Sequence, residues 1–346
     1  MSIEDKQKSI IDFISRHPNT SSKEIEDGLQ AMAIATIKRA LKKLVAENYI
    51  LVKGKGKSTR YYLSPGYELL RPVNVAEYFI KEIDEREIKT GFNHELIQNV
   101  ISKSRIFADN ELIKLQNLQN LYIEKSSQLT AYEYKRESER LAIDLSWKSS
   151  QIEGNTYSLL ETERLLIEKE TASGKPKDDA TMLLNHKEAI DFIIEHPQYV
   201  SPLTVPAIED IHSILMKDLG IDRNMRTHRV AISGTNYKPL DNQFQIKEAL
   251  ESMCELVNNQ EDVFTKALLV LTIISYIQAF ADGNKRTARI ISNAVLISNN
   301  YCPISFRTID SIEYKKAMLI FYEQNNITPI KNIFIDQFEF AVNTYF

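Results

Sequence analysis

Apolar positions recur at helical spacing along most of the chain. Ile10, Ile11, Phe13 and Ile14 mark one face of a helix over residues 4–16. Asn19-Thr20-Ser21-Ser22 opens a short second helix over 23–29, with Ser21 and Glu24 at capping-box spacing. Ile34, Ile37, Leu41, Leu44 and Val45 fall on one face of a third helix over 33–47. The period then changes. Tyr49-Ile50-Leu51-Val52 and Arg60-Tyr61-Tyr62-Leu63 read as the strands of a hairpin. Ser64-Pro65-Gly66, reinforced by Arg71-Pro72, marks a boundary. Beyond it, residues 73–127 read as helical, and a long helix runs from 131 through 147. Further helices are expected near 180–195 and 204–218, in two strongly apolar runs at 264–276 and 289–299, and from 311 to the terminus. Tyr314, Leu319, Phe321, Ile333, Phe334 and Phe338 give that last region its core stripes. The one β-prone interruption lies between Arg226 and Pro239.

Charge divides the chain. Its formal net charge is −4, yet residues 1–65 carry 12 Lys and Arg against 7 Asp and Glu, leaving 31 against 40 in the rest. A basic head on an acidic body suggests that the head meets a polyanion. Lys38, Arg39, Lys42 and Lys43 occupy the polar face of the third helix, and the hairpin tip reads Lys53-Gly54-Lys55-Gly56-Lys57. Three short helices followed by a basic hairpin resemble the winged helix-turn-helix family. The resemblance implies a domain over residues 1–65 with its third helix in the major groove of DNA. Lys38, Arg39, Lys42 and Lys43 are then the groove or backbone contacts, and Lys55, Lys57 and Arg60 touch phosphates. A winged helix used only to dock a protein, with its charges solvated, is the alternative. Cys254 and Cys302 lie in apolar contexts and read as reduced core residues. With no signal pattern and no apolar run of about 18 residues, a cytoplasmic protein that does not engage a membrane is expected.

The chemistry concentrates between the two apolar runs, in Ile277-Gln278-Ala279-Phe280-Ala281-Asp282-Gly283-Asn284-Lys285-Arg286-Thr287-Ala288-Arg289. Asp282-Gly283-Asn284 is a turn signal, and Asn284 can cap the helix that follows. Lys285, Arg286 and Arg289 then sit in the first turns of that helix, where cations oppose the macrodipole at roughly 0.3–1 kcal/mol each. Free N–H groups, a Gly and converging cations together make a phosphate cradle. A helical hairpin with a merely solvated turn is the plainer reading. His186 and His212 have no second ligand at metal spacing and read as packed or surface residues.

These residues resemble the signature of the Fic family, His-Pro-Phe-x-(Asp/Glu)-Gly-Asn-x-Arg-x-x-Arg. Phe280, Asp282, Gly283, Asn284, Arg286 and Arg289 match it, while Gln278 stands where the family has its catalytic His. Lys285 is similar to the phosphotransferring Doc branch, which has Ala at the Gly283 position and lacks the second Arg. Upstream, Ser149, Glu153 and Gly154 resemble the family's inhibitory motif, (Ser/Thr)-x-x-x-Glu-(Gly/Asn). The resemblance implies a mainly α protein: an all-helical Fic fold with a short β-hairpin flap, preceded by the small winged domain. Residues 73–160 would be its helical N-terminal part and 161–346 its core and C-terminal helices. It implies transfer of AMP from ATP, with Mg²⁺, to a Tyr, Ser or Thr hydroxyl of a target protein. Asp282 would hold the metal. Gly283, Asn284, Lys285, Arg286, Thr287 and Arg289 would hold the nucleotide, with Ser233, Gly234, Thr235 and Asn236 of the flap at its border. Glu153 would pair with Arg289 and inhibit. A neutral amide at 278 takes no proton, so transfer is expected to be lost or very slow while nucleotide binding survives. The alternatives are a DNA-binding regulator whose Fic body only senses nucleotide, a Doc-like phosphotransferase, and a docking scaffold. A second copy of the chain, in a homo-oligomer, is a further candidate partner.

Overall fold

The computed structural model describes residues 3–30 and 32–346, except the side chains of residues 3, 4 and 57. The chain divides into two compact units. The first comprises Met1–Pro72 with Glu95–Ile113, and the second Val73–His94 with Lys114–Phe346. Thus 95–113, which the sequence placed in the helical N-terminal part of the Fic region, clusters with the head.

In the first unit, α1 (Ile3–Arg16), α2 (Ser22–Leu29) and α3 (Ile34–Ala46) precede an antiparallel hairpin of β1 (Ile50–Lys53) and β2 (Arg60–Leu63). Ile50 pairs with Leu63 and Lys53 with Arg60. The Ser21 hydroxyl accepts from the Glu24 N–H at 3.2 Å and the Glu24 carboxylate accepts from the Ser21 N–H at 2.6 Å, closing the capping box that starts α2. Ile10, Ile14, Ile25, Ile37, Leu41, Leu44 and Ile50 form one buried cluster. Ile10, Ile14, Ile37, Leu41 and Leu44 belong to the apolar stripes read from the first and third helices, and Ile25 and Ile50 join them.

The second unit is built of α4 (Asp109–Gln128, from Lys114 onward), α5 (Ala131–Ile152), α6 (Leu159–Glu168), α7 (Lys177–Glu195), α8 (Val205–Leu215), α9 (Gln243–Asn258), α10 (Val263–Ile277), α11 (Asn284–Ser298), α12 (Ser311–Gln324) and α13 (Thr328–Thr344). α10 lies at the centre. Every one of its residues except Lys266 is buried, as an all-round apolar helix requires. It packs along α11, while α5, α7 and α8 each touch α11 or one another.

Residues 73–108 depart from the helical expectation. Only short turns form there, such as Val75–Tyr78 and Ile83–Glu85. Some of their backbone groups are satisfied from elsewhere. The Thr90 carbonyl accepts from Lys238 N–H at 2.8 Å, and Asn93 N–H donates to the Tyr276 hydroxyl at 2.9 Å. A segment whose polar groups are taken by distant partners has no need of a helix ladder. The flap also differs from a hairpin. Ser233-Gly234 makes the turn, but no ladder flanks it, and the only strand-like pairing of the flap among the described residues is a single parallel bridge between Gly91 and Lys238. Cys254 and Cys302 are buried and free. Among the described residues, no helix is long and apolar enough to cross a membrane.

Candidate functional site

The site begins where α10 ends. Gln278 caps it in the left-handed conformation, φ 53°. Its side chain, 8 % exposed, folds back. Nε2 donates to the Ser275 carbonyl at 2.6 Å, and Oε1 accepts from Asn284 Nδ2 at 3.2 Å. Asn284 also closes the loop, donating to the Phe280 carbonyl at 2.8 Å and accepting from the Phe280 N–H at 2.9 Å. Asn284 is therefore the first residue of α11 and not its cap. Gly283, at φ 78°, takes the cap position with no side-chain hydrogen bond. The reason is steric as well as conformational. A Cβ at Gly283 would lie 2.6 Å from Met216 Cε. With no capping oxygen, the first N–H groups of α11 are left for another acceptor. Phe280 is fully buried and stacks on His212 at 3.6 Å. His212 in turn meets the Thr287 hydroxyl at 3.2 Å, so Thr287 is turned into the core. Burial, then the nearby Arg286, pushes the His212 imidazole down to about 4. It is neutral near pH 7.

Two arginines of α11 lie beneath this loop. Arg286 donates to an Asp282 carboxylate oxygen at 2.9 Å, and its Nε and Nη1 are buried without a partner. Arg289, 0 % exposed, donates from Nε to the Ser149 hydroxyl at 2.7 Å. Its Nη2 reaches the Ser149 carbonyl at 3.0 Å and Glu153 Oε1 at 2.7 Å, while Nη1 has no partner. The second Glu153 oxygen accepts from Lys285 Nζ at 3.1 Å. Glu153 ends α5, where Gly154 turns the chain at φ 102°. Burial alone would raise the Glu153 carboxyl. Arg289, then Lys285, overcome that and hold it down to about 2.

His186 of α7, expected from the sequence to be a packed or surface residue, is buried. Its Nε2 lies 2.6 Å from the Ser149 hydroxyl. That hydroxyl oxygen also accepts from Arg289 Nε, so Ser149 joins the imidazole to the guanidinium. Burial, then Arg289 and Arg286, hold this imidazole well below its usual range. No spacing rule signals such a contact. Arg226 was missed for the same reason. It is buried, and its guanidinium donates to the carbonyls of Gln278 (2.6 Å), His228 (2.7 Å) and Leu240, joining the loop to both ends of the flap.

The remaining residues are placed as follows. Gly234 gives up its carbonyl to Arg86 at 2.8 Å, Asn236 donates to Asp84 at 3.2 Å, and the Thr235 hydroxyl accepts from the Tyr237 N–H at 3.1 Å. Ser233 starts the turn and is exposed. In the first unit, Lys38, Arg39, Lys42, Lys43 and Lys55 are exposed, with Lys43 3.5 Å from Glu47. Arg60 is half-buried and donates to the Thr59 carbonyl at 3.1 Å, and the Lys57 side chain lies outside the described residues. A cavity of about 530 Å³ opens elsewhere, walled by Leu141, Leu145, Ile190, Ile193 and Ile297 with no charged side chain.

An anion fits this arrangement. Three buried guanidinium nitrogens lack acceptors, and buried donors are rarely left so. Among the described residues no three His, Cys, Asp or Glu cluster as a metal site. Asp282, its side chain 59 % exposed, suits Mg²⁺ in the way that ion is usually held, by one carboxylate plus substrate phosphates.

Residues 202–296 match the Fic/DOC family. A probable protein adenylyltransferase of Aquifex aeolicus is 26 % identical over 99 residues, 28 % of this chain and 31 % of that protein. The protein adenylyltransferase Fic of Nematostella vectensis is 27 % identical over 184 residues, 49 % of this chain and 40 % of that protein. The chain thus spans less than half the length of these curated relatives. A Fic domain containing signaling protein from Bacteroides thetaiotaomicron shares the fold, with a TM-score of 0.56, 21 % identity, and coverage of 66 % of this chain and 94 % of that one. So does Fic-1 of C. elegans, with a TM-score of 0.57, 17 % identity, and coverage of 68 % and 72 %.

Proposed function

Since the chain carries a domain of the Fic/DOC family over residues 202–296, we propose that it is a self-restrained protein adenylyltransferase whose chemical step is silenced at Gln278. The supporting observation is the Glu153 carboxylate caught between Arg289 and Lys285 at the mouth of α11, beside buried guanidinium donors that lack acceptors. The reaction moves AMP from ATP to a Tyr, Ser or Thr hydroxyl of a target protein. The hydroxyl oxygen bonds to the α-phosphorus, the bond to pyrophosphate breaks, and the hydroxyl proton must leave. Arg286 serves the α/β region and Arg289 the γ-phosphate, each as a planar fork. Asn284, its side chain committed to Phe280 and Gln278, offers the phosphates only its backbone N–H. Asp282 would hold Mg²⁺, which neutralises phosphate charge when bound. While Glu153 occupies Arg289, the γ-phosphate cannot use it, and a bound nucleotide sits unproductively. Gln278 keeps the loop closed through Ser275 and Asn284 but accepts no proton.

Titrating ATP with Mg²⁺ into the protein and into Glu153→Gly tests this reading. Removing a carboxylate that competes for a buried Arg is expected to tighten binding at least about tenfold. If neither protein binds ATP, the nucleotide site is lost.

A second reading draws on the exposed Lys38, Arg39, Lys42 and Lys43 along α3: the head binds duplex DNA, as a winged helix does. Replacing all four by Gln is then expected to weaken binding and flatten the salt dependence by about 0.9 for each phosphate no longer neutralised. Unchanged affinity and slope across a salt series would remove DNA from the account.

A further inference from the structure

The flap turn is held from outside the family-matched segment. Arg86 lies in the irregular stretch before α4 and is 3 % exposed, paired at 3.1 Å with Glu323 of α12, which is 0 % exposed. The Tyr78 hydroxyl donates to the same carboxylate at 2.6 Å. The other arm of the Arg86 fork, Nη2, donates to the Gly234 carbonyl at 2.8 Å. Asp84 accepts from Asn236, and Thr90 accepts from the Lys238 N–H, so residues 84–90 meet the flap at three successive places. α12 therefore carries Tyr314, whose ring lies 5.3 Å from the Arg289 guanidinium, and Glu323, which holds the flap's arginine.

We propose that Arg86 is a positioning residue of the flap, fixing the Ser233-Gly234 turn against the helix that also backs Arg289. The inference rests on the reading above, in which Ser233 to Asn236 border the nucleotide. The residue type matters. A planar guanidinium can serve a carboxylate with one arm and a carbonyl with the other, whereas an ammonium is a single point donor. Arg86→Lys keeps the ion pair and gives up the carbonyl. Arg86→Met with Glu323→Leu removes both charges together, so that neither is stranded in the core.

Amide hydrogen exchange on the full chain, with fluorescent ATP binding measured in a Glu153→Gly background, tests the proposal. In both variants exchange over residues 232–238 is expected to speed about tenfold, while α10 and α11 keep their protection. Nucleotide affinity is expected to fall a few-fold with it. Unchanged flap exchange overturns the proposal. So does acceleration shared equally by α10 and α11, which would make the contact merely structural. If Glu153→Gly binds no nucleotide, the adenylyltransferase reading fails, and the exchange pattern alone still decides whether Arg86 holds the flap.

Discussion

Returning His to position 278 in a Glu153→Gly background is expected to raise transfer of α-labelled AMP to protein by about 10²–10⁴-fold over Glu153→Gly alone. Gln278 sits in the left-handed cap of α10, with its backbone carbonyl pinned by Arg226. The backbone that presents the side chain is thus independent of what the side chain is. An imidazole there can take the hydroxyl proton that the amide cannot. The change should leave ATP affinity nearly alone, because the Gln278 side chain bonds Ser275 and Asn284 and neither Arg286 nor Arg289. Radiolabel gel assays with α- and γ-labelled ATP check both reactions. Label from the γ-position alone would replace adenylyl by phosphoryl transfer, the chemistry that Lys285 suggested. No label from either position in the double variant would leave a nucleotide sensor.

Arg289→Met is expected to abolish tight ATP binding and to lower stability by about 3–5 kcal/mol, the usual result of removing one partner of a buried pair. Glu153 would keep Lys285, but Ser149 and His186 would lose the group around which they are ordered. Urea midpoints against pH carry a second signature. The Glu153 carboxyl is depressed from 4.5 to about 2, so its stabilising contribution is fully present above pH 4.5 and fades as pH falls toward 2. The gap between parent and Arg289→Met should therefore narrow across that window. A gap that is constant from pH 6 to pH 2 would mean that the ion pair contributes nothing to folding.

Most helices of the head and of the body were legible because period and caps are written in near neighbours, though α6 and α9 were not read. Ile10, Ile14, Ile37 and Leu41 announce their faces by spacing alone, and Ser21 finds Glu24 three residues on. The loop from Gln278 to Arg289 was legible for the same reason, since one turn and one helix carry its whole inventory. Residues 73–108 were not. Their apolar positions look helical, yet Tyr276 and Lys238 take their backbone groups. The flap failed as a hairpin because Arg86, far off in sequence, holds its turn and no partner strand lies beside it.

By itself, then, the sequence determined most of the helical elements, the apolar centre of the fold and the gathering of Lys285, Arg286 and Arg289 in the first turns of α11. Only the tertiary structure decided that Lys285 shares Glu153 with Arg289, that His186 meets the Ser149 hydroxyl, and that Arg226 and Arg86 fasten the loop and flap. Spacing along a chain fixes which side chains share a face. Which distant face a buried cation meets is set by how whole helices pack, and that packing is chosen by the burial of many apolar residues together.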